Sequence, residues 1–70
     1  MQLLQNTPFG KKQVVKWVTG TGIQKDLLEQ IGIRQGEEIE VVASYFGNTI
    51  VSVHGIRYAL GTDVAERIRI

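Results

Sequence analysis

With 70 residues, eight Lys/Arg against seven Asp/Glu and a net charge of +1, the chain has room for one domain (residues 1–70) and lacks the basic surplus of a nucleic-acid binder. The absence of cysteine excludes disulfides and thiolate metal ligands. No apolar run nears the roughly 20 residues that cross a bilayer, and MQLLQNTPFG lacks the basic start and apolar stretch of a signal peptide, so a cytoplasmic module without membrane insertion is expected.

In chain order, Leu3 and Leu4 precede a turn signal at Pro8-Phe9-Gly10, and residues 1–9 form a segment that could pack on the body of the domain. Lys12–Val18 (KQVVKWV), β-branched and aromatic, predicts a first strand. Thr19-Gly20-Thr21-Gly22 breaks it, with Thr21 a candidate helix cap. Ile23, Leu27 and Ile31 recur at helical spacing beside Leu28, which predicts an amphipathic helix facing inward through those residues. Gly32 stands where a left-handed residue stops a helix, and Ile33 where the accompanying apolar contact falls.

From Ile39 the period becomes two. Ile39, Val41, Ala43 and Tyr45 share one face of a strand; Glu38, Glu40, Val42, Ser44 and Phe46 share the other. Thr49–His54 is the partner strand. Pairing Phe46 with Ile50 sets Ala43 against Val53 and Tyr45 against Val51, joining the apolar sets, so a three-residue or bulged loop at Gly47-Asn48-Thr49 is expected. Gly55 marks a turn and Arg57–Leu60 a short strand. Thr62 or Asp63 is positioned to cap a helical turn holding Val64 and Ala65, and Ile68 and Ile70 point inward from a last strand. The sum is a mainly β domain: a small SH3-like barrel of about five short antiparallel strands, with one short α-helix after the first.

No catalytic set is legible, which points to a non-enzyme. The single His54 could join only Ser44 or Ser52, and no strand-turn-helix nucleophile elbow surrounds either serine. Thr19–Gly22 lacks the third glycine of a dinucleotide loop and the Lys-Ser/Thr of a P-loop. Glu38, Glu40 and His54 on one outer face could make at most a weak oxygen-rich metal site, so no cofactor or tight metal is expected. Trp17, Tyr45, Phe46 and Tyr58, with Lys11, Lys12 and Lys16, could stack on and neutralise RNA, but the bases are scattered among acids. The strongest lead is an apolar outer face. Val42, Phe46 and Ile50, with Tyr45 at the same hairpin tip, form a candidate partner surface, Phe46 and Ile50 being direct neighbours in the expected register.

The run from Leu28 to Val41 reads L-x-x-x-G-I-x-x-G-x-x-I-x-V, followed by a hairpin, Ala59-Leu60 and Ala65-x-x-Ile68-x-Ile70. This combination resembles the ferrous-iron transport protein A (FeoA) family, over about Gly10 to Ile70. The family's hairpin tip commonly reads Pro-Leu-Gly-Asp-Pro; Phe46, Gly47 and Asn48 fill its centre, while Tyr45 and Thr49 stand where prolines are expected. The resemblance implies an SH3-like domain acting as a non-enzymatic cytoplasmic accessory of bacterial ferrous-iron uptake, through contact with the cytoplasmic region of the FeoB permease, with weak self-association a further expectation. Two other readings stay open: the SH3-like regulatory domain of metal-dependent repressors, and a small RNA-binding barrel.

Overall fold

The computed structural model describes residues 2–20 and 22–70; the capping role expected of Thr21 lies outside them. In chain order come a 3-10 turn (Leu4–Asn6), β1 (Lys12–Val14), β2 (Trp17–Val18), α1 (Ile23–Gln30), β3 (Glu38–Tyr45), β4 (Asn48–Val53), β5 (Ile56–Gly61), α2 (Thr62–Ala65) and β6 (Ile68–Arg69). One antiparallel sheet has the order β1-β3-β4-β5; β2 and β6 form a second, two-stranded sheet. The result is the SH3-like barrel expected, with six strands among the described residues.

The extra strand arises because the predicted Lys12–Val18 strand is broken at Val15-Lys16. Before the break, Lys12–Val14 pairs with β3. After it, Trp17 and Val18 pair with Arg69 and Ile68. The two residues of the break hold the corner: Val15 N–H donates to Glu37 O at 2.8 Å, and Lys16 N–H to Arg69 O at 2.9 Å. Val15 is buried there, so one strand turning into another closes the barrel around a shared core.

The N-terminal segment is part of that closure. Gln2 and Ile70 exchange backbone hydrogen bonds at 2.8 and 2.9 Å, Leu3 bridges Arg69, and Leu4 is wholly buried. With Val15, Leu28, Ile33, Ile39, Val41, Val51, Val53, Leu60, Ala65 and Ile68, it makes one continuous core. Each buried aliphatic side chain of this kind contributes about 1.5–3 kcal/mol.

The stop at the end of α1 follows the sequence closely. Ile33 N–H donates to Leu28 O at 2.8 Å and Gly32 N–H to Glu29 O at 3.1 Å, a Schellman motif with Gly32 at φ +96. Ile33 is wholly buried and joins Leu28 in the core, the apolar contact such a stop brings.

The helix face departs from expectation. Ile23 is 77% and Leu27 55% exposed; Leu28 enters the core and Ile31 is half-buried. Adjacent leucines on a helix point about 100° apart, so only one of the pair can face the barrel. In a helix of eight residues, one inward residue plus the stop at Ile33 suffices to dock it. The α2 turn is likewise capped differently: Gly61 is its N-cap, with no side-chain cap bond, and the Thr62 hydroxyl is used elsewhere.

Candidate functional site

The β3–β4 hairpin carries the candidate surface, and its register differs from the expected one. The cross-strand pairs are Tyr45–Asn48, Ser44–Thr49 and Ala43–Ile50, then Val41–Val51 and Glu40–Ser52. Val42 is therefore an extra residue in a β-bulge. The bulge reconciles two demands that a straight strand cannot meet. Val41 and Val51 still meet in the core, as the apolar pattern requires, while the loop shortens to the two residues Phe46-Gly47. Past the bulge the faces exchange, so Ala43 and Tyr45 turn outward with Ile50.

The loop is a type I′ turn, with Phe46 at φ 48 and Gly47 at φ 78. Such turns match the strand twist but favour Asn, Asp or Gly at both centres. Gly47 suits its place. Phe46 does not: a side chain in the left-handed region costs on the order of 1–2 kcal/mol. The turn is tied down from behind, since the Thr62 hydroxyl donates to Gly47 O at 2.8 Å. Phe46 itself projects outward, 86% exposed, and its ring meets Tyr45 edge-to-face with centroids 4.5 Å apart. Tyr45 is 65% exposed.

Of the four residues expected on the partner surface, Tyr45 and Phe46 thus form a connected aromatic pair at the tip. Ile50 lies half-buried on the same sheet face as Tyr45, one cross-strand step away, opposite Ala43. It is not the direct neighbour of Phe46. Val42 sits half-buried at the bulge, further down the strand.

The candidate metal residues meet without forming a ligand set. Glu38, Glu40 and His54 line one shallow depression of about 160 Å³ with Lys12, Ile39, Ser52 and Gly55. Lys12 stands cross-strand from Glu40, and the His54 Nε2 is engaged by Glu37, 3.1 Å from its Oε2. Among the described residues, no group of three or more His, Cys, Asp or Glu side chains is arranged to hold a metal ion. Instead, His54 serves the fold. It occupies the β4–β5 turn at φ 52, and its ring covers Gly32: a Cβ added at Gly32 would lie 3.1 Å from both ring atoms Cε1 and Nδ1 and from Val53. Glu37 as the His54 partner has no signal in the sequence pattern.

A second apolar feature lies outside the residues that the sequence points to. Leu27 and Leu28 line a hollow of about 190 Å³ with Gln24, Val64 and Arg67, between α1 and α2. The signal was the adjacent leucine pair, which cannot turn both members inward. Lys11, Lys12 and Lys16 are exposed and Trp17 is half-exposed, whereas Tyr45 and Phe46 stand on the β3–β4 tip and Tyr58 is half-buried on β5. Among the described residues, no helix is long and apolar enough to cross a membrane.

A comparison with curated proteins finds no match. Solved structures do match. A solution structure of iron(II) transport protein A from Clostridium thermocellum superposes with TM-score 0.88 at 21% identity, over 97% of this chain and 43% of that one, a likeness of fold. FeoA of Stenotrophomonas maltophilia, crystallised with zinc and described as a prokaryotic SH3-domain protein, gives TM-score 0.84 at 25% identity, covering 99% of this chain and 88% of that one. A crystal structure of an iron uptake regulatory protein, FeoA, gives TM-score 0.82 at 32% identity, over 94% of this chain and 88% of that one. The family model for the FeoA domain matches residues 2–70, and the chain belongs to that family, which is associated with ferrous-iron transport.

Proposed function

We propose that this protein is a cytoplasmic, non-enzymatic accessory of ferrous-iron uptake that contacts the cytoplasmic region of the FeoB permease through its β3–β4 hairpin tip. One observation carries the reading: Phe46 holds a left-handed conformation at a cost, yet 86% of it is exposed. Backbone strain at this solvent-facing aromatic is offset within the fold only by the exposed Tyr45 ring, whereas a rigid exposed aromatic is the usual anchor of a protein interface. Tyr45 extends the anchor edge-to-face, the Thr62–Gly47 hydrogen bond fixes its direction, and Ile50 and Val42 supply the half-buried apolar flank. The family's association with ferrous-iron transport supports a partner within that transport system, and the S. maltophilia relative is described as possibly acting as a ferrous-iron transport activating factor. The test is binding of the purified cytoplasmic region of the permease to wild-type chain and to Phe46→Ser. A loss of more than about 1 kcal/mol in binding with an unchanged melting temperature supports the reading. Equal binding by both proteins overturns it.

A further inference from the structure

We propose that the open edge of β5 pairs with the β5 edge of a second copy about a twofold axis at Ala59. The inference goes beyond the permease contact and uses a different surface. β5 ends the four-stranded sheet, and among the described residues its backbone makes no bond to a further strand. The orientation of its polar groups follows from the turn before it. His54-Gly55 is a two-residue turn with both φ positive, so Val53–Ile56 is the closing pair that exchanges both backbone hydrogen bonds. Alternation along an antiparallel ladder then directs Tyr58 and Leu60 toward Val51 and Thr49. Arg57, Ala59 and Gly61 are left with their N–H and C=O groups toward the open edge, except that the Gly61 carbonyl, at a helix N-cap, is engaged by α2.

These three residues fit themselves. With the axis at Ala59, the two Ala59 residues exchange N–H···O=C bonds, and Gly61 of each copy donates to the Arg57 carbonyl of the other. Side chains agree with this register. On the outer face, Ala59 meets only the methyl of its mate, and Arg57 lies opposite Gly61, which offers no Cβ to obstruct it. Charge agrees as well. A Cβ at Gly61 would fall 3.0 Å from Asp63 Oδ1, so the Asp63 carboxylate stands on that face beside Gly61, where Arg57 of the second copy arrives. Neither Arg57 nor Asp63 has an ion-pair partner within the chain, among the described residues. On the inner face, half-buried Tyr58 meets Leu60 of the second copy. β5 also carries few of the devices that block edges: its register to β4 is continuous, it has no proline, and Arg57 is its single charge. One strand pair buries less than the roughly 1,600 Å² of a standard interface, so the association is weak and concentration-dependent.

The experiment is sedimentation equilibrium of the whole chain up to millimolar concentration, with amide hydrogen exchange on the same samples. Wild type is expected to form a dimer, with Ala59 and Gly61 amides gaining protection as concentration rises, while Tyr58 and Leu60 are protected throughout. Ala59→Pro removes an N–H that bonds nothing within the chain, so it should fold normally and stay monomeric. Arg57→Glu and Asp63→Lys should each raise the dissociation constant at least about tenfold. Mixed together they should form a heterodimer, because every cross-pair then joins opposite charges. Phe46→Asn should dimerise like wild type. A wild type that is monomeric at all concentrations overturns the proposal. So does a dimer that survives Ala59→Pro, or charge variants that fail to complement when mixed.

Discussion

The main sheet reverses twice with the same backbone device and opposite consequences for the side chain. Phe46-Gly47 and His54-Gly55 are both two-residue turns with a non-glycine residue in the left-handed region, at φ 48 and φ 52. At the second turn the side chain earns its conformation: His54 packs over Gly32, where the helix stops, and its Nε2 reaches Glu37. At the first, Phe46 touches the neighbouring Tyr45 ring and otherwise faces solvent. Equal strain, offset inside the fold in one place and not in the other, separates a structural turn from a presenting one.

The comparison can be broken hardest at the helix stop beneath His54. Gly32→Val places a β-branched residue at φ +96 and drives its Cβ against the His54 ring and Val53 at 3.1 Å. A loss of about 2 kcal/mol or more in denaturant unfolding is expected, a large share of the stability of so small a domain. An unchanged midpoint would mean that the stop and its cover are not coupled. His54→Asn is the milder probe. Asn tolerates the turn, which favours stability, but the ring's packing and its contact with Glu37 are lost. A net loss of up to about 1 kcal/mol is expected, and a gain in stability would show that His54 is as idle as Phe46.

The smallest effect concerns metal. Because His54 is committed to Glu37 and covers Gly32, anaerobic titration with ferrous or zinc ions should show weak binding, little altered by Glu38→Gln or Glu40→Gln. A sub-micromolar dissociation constant abolished by His54→Ala would reassign the residue from structure to metal binding.

The contrast between the turns also marks what the sequence made legible. The glycine stop at Gly32 was readable because one conformation and one apolar contact define it, and Ile33 is buried as that motif requires. The inward sets Ile39-Val41, Val51-Val53 and Ile68-Ile70 were readable because burial imposes a strict period of two. The hairpin register was not. Val41, Val42 and Ala43 are consecutive small apolar residues, so nothing in their pattern reveals that Val42 is the inserted one. The turn is hidden by its own strain, since turn chemistry favours Asn, Asp or Gly, not phenylalanine, at φ 48. Likewise the corner at Val15-Lys16 is set by its two partner strands, β3 and β6, not by any local breaker. Tyr45 and Phe46 are legible in the sequence as a partner surface, but their edge-to-face contact and the Thr62 anchor depend on the bulged register, which is not.

The measurement that most directly tests the central claim is Phe46→Asn, followed by both unfolding and binding. Asn-Gly is the preferred pair for this turn, so relief of strain should raise stability by up to about 1 kcal/mol. The same change removes the exposed aromatic and should weaken binding to the permease's cytoplasmic region by more than about 1 kcal/mol. Stability gained together with binding lost is the expected result. A destabilised domain, or one that binds as wild type does, would contradict the claim that Phe46 is held in strain for a partner.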